Sequence, residues 1–256
     1  MTLYLFFFFF FFFLLPLCNC TDRLGEFCNE DKNTSSKQIL ANIDQVLTEL
    51  VSKTPSTGFT TTSEGHNDET VYGLAQCRGD VSTADCSTCV NDAAKQIKQL
   101  CTNQADGRIW FDYCFLRYDV KNFIGEVDTG FGIFYWNVEN ATDPEEFVKK
   151  LGEVMPIVRE QALMPANKGL GRNKTKFSSS VTIYSLVQCT RDLSQLSCAQ
   201  CLDTAIANIS KFCLYKQGCR VLYSSCYLRY EIYSFFFPLD SKLGVLGTTS
   251  RAILHP

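Results

Sequence analysis

Two sets of five cysteines with identical spacing constrain this chain more than any other feature. Cys77, Cys86, Cys89, Cys101 and Cys114 read C-x8-C-x2-C-x11-C-x12-C, and Cys189, Cys198, Cys201, Cys213 and Cys226 repeat that pattern without a gap. The same alignment superposes Tyr72 on Tyr184, Leu74 on Leu186, Gln76 on Gln188 and Arg108 on Arg220, and it pairs Leu116-Arg117-Tyr118 with Leu228-Arg229-Tyr230. Matching at this density marks a duplicated structural unit. A chain of 256 residues has room for two such units of ordinary domain size.

The compartment follows from the cysteines and the amino-terminal run. Leu3–Cys18 is apolar, with Phe6–Phe13 unbroken, and is shorter than the roughly 20 residues of a membrane-spanning helix. It reads as a secretory signal peptide over 1–20, cut before Thr21, although no Lys or Arg precedes it. Losing Cys18 and Cys20 takes the cysteine count from 14 to twelve, six in each half, and even parity favours disulfides within each domain in an oxidising compartment. No later apolar run is long enough to span a membrane, and Lys242–Pro256 is too short for an anchor signal. The mature chain is therefore expected to be soluble and extracellular. Its net charge of −3 supplies no basic field for nucleic acid or an anionic membrane surface.

Periodicity places the elements. Ile39, Leu40, Ile43, Val46, Leu47, Leu50 and Val51 recur at helical spacing behind Ser35-Ser36, and Ser82–Asp85 is a capping box opening a second helix through Cys86, Cys89 and Cys101. Val71–Cys77 reads as a strand, Arg108–Asp119 alternates with aromatic content, and Phe131–Trp136 reads as one more strand before a link over Asn137–Asp143. Asp143 and Pro144 then open a third helix. The strand Val181–Cys189, the helix Cys198–Cys213 and strands over Arg220–Phe237 follow. Thr54–Glu69 and Lys168–Lys176 read as loops. The expected architecture is α+β: two tandem domains, 21–138 and 139–256, each an antiparallel sheet with two helices on one face, stapled by disulfides.

The Cys86-x2-Cys89 and Cys198-x2-Cys201 pairs suit disulfides better than zinc or a redox centre. Thiols oxidise in this compartment, and His66 and His255 are the chain's histidines. With neither a nucleophile–histidine set nor a phosphate-binding glycine loop, the reading is not an enzyme, with no cofactor and no metal. The aromatic residues Trp110, Phe111, Tyr113, Tyr118, Tyr223, Tyr227, Tyr230 and Tyr233 could stack on sugars, but such alternation more often fills a sheet core. Asn33, Asn140 and Asn173 begin sequons for N-glycosylation, as does Asn208, which falls late in a helix.

The cysteine spacing, preceded by Tyr72-Gly73-Leu74-Ala75-Gln76 and followed by Cys114-x3-Tyr118-Asp119, resembles the ginkbilobin-type (stress-antifungal) domain of plants. That domain occurs singly in an antifungal seed lectin, in tandem in cysteine-rich repeat secretory proteins, and in the ectodomains of cysteine-rich receptor-like kinases; two copies behind a signal peptide resemble the secretory class. The resemblance implies the pairs Cys28–Cys101, Cys77–Cys86, Cys89–Cys114, Cys189–Cys198 and Cys201–Cys226. The second copy departs from it. Trp136 falls where Cys28 would repeat, and Cys219 is additional at the position of Gly107, leaving Cys213–Cys219 as the remaining pair.

The lectin's mannose site, carried over, implies Asn29, Arg108 and Asp119 in the first copy. Arg220 and Glu231 match in the second, with Asn137 in the place of Asn29 if the helix offset holds. In such a site a carboxylate accepts from sugar hydroxyls while Arg and Asn donate. Arg108 and Asp119 can meet only if the chain turns between them, because eleven residues of strand span about 36 Å. A turn at Tyr113-Cys114 would set them opposite each other, with Ser224-Ser225-Cys226 as its counterpart, and the competing reading is a cross-strand ion pair. The resemblance thus implies a secreted apoplastic defence protein that binds mannose-type glycans. The alternative is a protein-interaction module without sugar binding that partners extracellular receptor ectodomains.

Overall fold

The computed structural model describes residues 22–239; the signal segment, its cut before Thr21 and the tail Lys242–Pro256 lie outside them. The first copy comprises β1 (Arg23–Cys28), α1 (Lys37–Thr57), β2 (Phe59–Glu64), β3 (Val71–Cys77), α2 (Thr83–Leu100), β4 (Asp106–Phe111) and β5 (Cys114–Asp119). The second comprises β6 (Gly132–Trp136), α3 (Pro144–Leu163), β7 (Leu170–Lys176), β8 (Thr182–Cys189), α4 (Gln195–Phe212), β9 (Cys219–Tyr223) and β10 (Cys226–Glu231). Each forms a five-stranded sheet, ordered β1-β4-β5-β3-β2 and β6-β9-β10-β8-β7. All pairings are antiparallel.

Side-chain alternation explains the layers. Val71, Ala75, Ile109, Leu116 and Tyr118 face α1 and α2, which contribute Val46, Leu50, Val90 and Ile97; Ile183, Val187, Val221, Leu228 and Tyr230 meet α3 and α4 in the same way. The opposite face of each sheet carries arginine and is roofed by the segment after its last strand. Phe123 lies 4.0 Å from the Arg117 guanidinium and Phe235 lies 4.1 Å from that of Arg229.

The helix ends are capped as their residues predict. Ser36, Ser82, Asp143 and Ser194 each accept a bond from a backbone N–H of the first turn. Two expected loops are strands instead. α1 runs through Pro55, which removes one ladder bond in the last turn, and ends at Gly58 in the left-handed region (φ 74°). The Thr-rich β2 and the basic β7 then form outer strands of the two sheets. Their polar composition hid them, because an edge strand needs only backbone groups from its neighbour. β1 likewise gave no signal of its own. The strand at Phe131–Trp136, expected to close the first domain ahead of a boundary at 138/139, pairs with β9 in the second sheet.

The six disulfides among the described residues are Cys28–Cys101, Cys77–Cys86, Cys89–Cys114, Cys189–Cys198, Cys201–Cys226 and Cys213–Cys219. No described cysteine is free. Cys101 and Cys213 are equivalent helix ends, tied to strand β1 in one copy and to β9 in the other.

The chain binds its two copies through a pair of glutamines. Gln76 Nε2 donates to the Cys189 carbonyl (2.8 Å) while its Oε1 accepts from Arg191 N (2.9 Å). Gln188 Nε2 donates to the Cys77 carbonyl (3.1 Å) and its Oε1 accepts from Gly79 N (2.9 Å). The pattern is two-fold, as expected when a duplicated unit packs on itself. Trp110 Nε1 adds a bond to the Tyr223 carbonyl (3.1 Å).

Removing Cys28–Cys101, whose partners are 73 residues apart, should cost roughly 4 kcal/mol of stability by loop entropy, against about 2 kcal/mol for Cys213–Cys219, 6 apart. Urea unfolding of the two double-alanine variants checks the order, and equal losses would contradict it. A second expectation concerns pH. Burial raises the phenols of Tyr118, Tyr227 and Tyr230, that of Tyr227 to about 12. The unfolded chain loses these protons near pH 10, so between there and about pH 12 the folded state holds more of them and stability falls as pH rises. The contribution is intact below pH 10. Alkaline unfolding should therefore coincide with late tyrosinate absorbance; a folded protein whose tyrosines all titrate near pH 10 would refute this.

Candidate functional site

The β4–β5 hairpin determines what the implied sugar-binding residues can do. Its turn is Asp112-Tyr113, one residue earlier than Tyr113-Cys114, so Arg108 stands opposite Arg117 and Asp119 opposite Asp106. The second copy turns at Ser224-Ser225, with Arg220 opposite Arg229. Moving the turn by one residue shifts each partner by two, which keeps the face and replaces the expected Arg–Asp pair with two arginines side by side. Carboxylates from elsewhere must then hold them.

In the first copy those carboxylates close the cluster. Asp128, from the segment after β5, lies 2.8 Å from Arg108 NH1 and 2.9 Å from Arg117 NH1. Asp106 accepts from Asn29 Nδ2 (3.1 Å) and lies 3.5 Å from Arg108 Nε. Asp119 accepts from Lys32 Nζ (2.8 Å) and lies 3.5 Å from Arg117 NH2. Arg108 NH1 also donates to Ser224 Oγ in the other copy (2.8 Å). Asn29, Arg108 and Asp119 therefore meet in one cluster, with Arg108 and Asp119 buried and all three engaged within the chain. Burial, followed by the neighbouring charge of Arg108, lowers the affinity of Arg117 for its proton.

The second copy is built from the same parts and is open. Asp112, from the first copy's hairpin turn, lies 2.9 Å from Arg220 NH1 and 3.2 Å from Arg229 NH1. Arg229 Nε holds Glu231 Oε1 at 3.0 Å. Glu231 Oε2 is buried and has no hydrogen-bond partner. Asn137 repeats Asn29: its N–H donates to the Gly218 carbonyl (3.0 Å) as that of Asn29 donates to the Asp106 carbonyl (3.1 Å). Gly218 thus stands where the first copy has Asp106. A Cβ there would collide with Glu231 Oε2 and Asn137 Nδ2, so the glycine lets these two side chains stand where the first copy has an aspartate, and an open space lies beside them.

The space is a cleft of about 280 Å³ lined by Asn137, Arg220, Glu231, Asp22 and the aromatic residues Tyr135, Trp136 and Tyr233. Trp136 occupies the place of Cys28 and is 51% exposed. Sequence alignment shows each exchange separately, but not that Gly218, Trp136 and Asn137 surround one opening. Asp112 and Asp128 carried no sequence signal as parts of these clusters, because their partners lie on other elements. Of the sequon residues, Asn33 and Asn140 are exposed, Asn173 lies on the outer strand β7, and Asn208 donates to Tyr223 Oη (2.6 Å). Among the described residues no cluster of His, Cys, Asp or Glu could hold a metal ion, and no helix is long and apolar enough to cross a membrane.

The fold and its clusters define a class, the tandem disulfide-stapled α+β domain. The model of the family described as salt stress response/antifungal matches residues 27–121 and 136–233, and the chain belongs to that family. It is 55% identical over 246 residues to cysteine-rich repeat secretory protein 55 of Arabidopsis thaliana, covering 93% of this chain and 94% of that one. It is 39% identical to the antimicrobial ginkbilobin-2-like protein of Castanea crenata, covering 85% and 90%. Among solved structures, the tandem DUF26 ectodomain of the Arabidopsis thaliana cysteine-rich receptor-like protein PDLP5 is 27% identical with a TM-score of 0.69, covering 83% of this chain and all of that one. The PDLP8 ectodomain, at 24% identity and a TM-score of 0.73, shares the fold, covering 84% and 100%.

Asp112→Ala leaves Arg220 and the buried Arg229 to share the one carboxylate of Glu231, and the loss of stability should be roughly 3 kcal/mol in urea unfolding. A change under about 0.5 kcal/mol, the usual size for surface substitutions, would show that Asp112 is not what joins the copies.

Proposed function

We propose that this chain is a secreted extracellular defence protein that binds mannose-type glycans, and that the second copy does the binding. The observation that carries the reading is Glu231 Oε2, a buried carboxylate oxygen without a partner, in a cleft rimmed by exposed aromatic residues. Burying such an oxygen unsatisfied is costly, and a sugar hydroxyl would supply the missing donor. Asn137 and Arg220 stand beside it as further donors, and the exposed indole of Trp136 offers a flat apolar face to the C–H side of a sugar ring. The cleft approaches the lower size of small-ligand pockets, about 300 Å³. The first-copy set Asn29, Arg108 and Asp119 belongs to the same reading but is held within the chain by Asp106, Asp128 and Lys32. Secretion and defence are supported by the similarity to the secretory and antimicrobial relatives.

The second reading is a module that pairs with extracellular receptor ectodomains. It is favoured by the exposed apolar residues Val138, Leu214 and Tyr215 and by 34% identity, over 76% of this chain and 29% of that one, to cysteine-rich receptor-like protein kinase 10 of Arabidopsis thaliana. Nothing in either reading calls for catalysis.

Binding of the folded, oxidised protein to immobilised mannan separates the two. Saturable binding competed by free mannose is expected, weakened about tenfold by Trp136→Ala and more by Glu231→Gln, with Arg108→Ala binding normally at equal folded concentration. Loss with Arg108→Ala alone would return the site to the first copy. No binding by folded wild type would remove the glycan reading and leave the receptor partner.

A further inference from the structure

Arginine is paired with carboxylate throughout the described residues, with two exceptions. Arg23, Arg78, Arg108, Arg117, Arg159, Arg220 and Arg229 each have an acidic oxygen within 4.0 Å. Arg172 and Arg191 have none, and both line the same groove, a space of about 1090 Å³ between the two copies. Lys168, exposed on the wall of that groove, adds a third cation. The groove lies at the β7 edge of the second sheet, whereas the glycan cleft lies at the β6 edge.

Neither arginine meets a carboxylate among the described residues. Arg191 NH1 donates to the Thr57 carbonyl at the end of α1 (2.7 Å), where the helix terminus favours a cation, but its Nε is buried without a partner. Arg172 NH1 donates to the Phe237 carbonyl, and its guanidinium lies 5.4 Å from the Phe236 ring. Burial lowers the affinity of both for their protons. The carboxylates in the wall are already committed. Asp80 is taken by Arg78 and by the N–H of Phe237, and Asp85 accepts from the Ser82 hydroxyl.

The fold does not demand these arginines. The equivalent of Arg191 in the glutamine exchange is Gly79, so the first copy makes the same backbone bond with no side chain. Gly58 and Gly169 accept equivalent bonds from Cys77 and Cys189, which sets Thr61 in the place of Arg172. The groove's lining also includes Gln161 and Asn167, and its apolar side chains are the exposed Met164 and Leu239 and the edge of the buried Leu170.

We propose that this groove binds an acidic peptide segment of a partner protein, its carboxylates on Arg172 and Arg191 and its apolar side chains on Met164, Leu170 and Leu239. The apolar floor selects a peptide over an acidic sugar, whose surface is hydroxylated throughout, and guanidinium is suited to bidentate carboxylate capture.

The test uses the whole mature protein and a fluorescent peptide alternating glutamate with leucine. Saturable binding that weakens with added salt is expected, reduced roughly tenfold by Arg191→Gln and by Arg172→Gln, and unaffected by free mannose or Trp136→Ala. The glutamine-for-glutamate peptide should not bind. Lys168→Asn covers the case in which the arginine variants fail to fold. The site is exposed and has φ 51°, a conformation asparagine accepts, and it should weaken binding severalfold. No saturable binding, or binding indifferent to all three substitutions, overturns the proposal. Capture of a galacturonic acid oligomer in place of the peptide also overturns it and reassigns the groove to acidic sugars. Failure here leaves the mannan experiment untouched, because the two sites occupy opposite edges of the sheet.

Discussion

Gln76 and Gln188 sit at equivalent positions on β3 and β8, and each side-chain amide spends both its donor and its acceptor on the backbone of the other copy. A buried amide left half-satisfied costs as much as the bond gains, so the two copies must meet in one geometry for either glutamine to be content. Everything between the sheets follows from that geometry. It puts the β4–β5 turn against the second copy's arginines, so Asp112 completes Arg220 and Arg229, and it puts the β9–β10 turn against the first copy, so Ser224 receives Arg108. The hairpin turns are the fasteners, and the arginines on the outer sheet faces are what they fasten.

Within this two-fold frame the copies have diverged at a few positions. Asp106 stands in the first cluster where Gly218 admits the side chains of Glu231 and Asn137 in the second. Cys28 ties β1 to the end of α2, whereas in the second copy Trp136 takes that place and the helix-end cysteine reaches Cys219 on β9. The same exchange that relocates a disulfide frees an aromatic ring at the rim of a cleft. The core is unaffected, since Tyr118 and Tyr230 still send their hydroxyls to the equivalent carbonyls of Gln104 and Lys216. A duplicated domain can hold its packing constant while the two copies differ in what they leave open at the surface.

The duplication, the α+β class and the four helix starts were legible in the residues, because cysteine spacing, 3.6-residue periodicity and capping side chains are local signals. The disulfide pairs followed from the family resemblance. Strands β1, β2 and β7 were not legible. Thr60-Thr61-Thr62 and Arg172–Lys176 have the composition of a loop, and only the backbone of β3 or β8 beside them makes them strands. Nor was it legible that β6 joins the second sheet, since its pairing with β9 spans the whole of α3, β7, β8 and α4.

The candidate sites show the same division more sharply. The family resemblance supplied Asn29, Arg108, Asp119, Arg220 and Glu231 as a set of donors and acceptors. The tertiary structure decided which of them are free. A turn one residue earlier than expected put arginine opposite arginine, and the charges this required came from Asp112 and Asp128, neither of which has a sequence signature. Whether a polar atom is satisfied depends on groups distant in the chain, so Glu231 Oε2 and Arg191 Nε could be recognised as unpartnered only after folding. Sequence determined which chemistry this protein carries and how often it repeats it; packing between the copies decided where that chemistry is left open, because hydrogen bonds and ion pairs are settled in space and not along the chain.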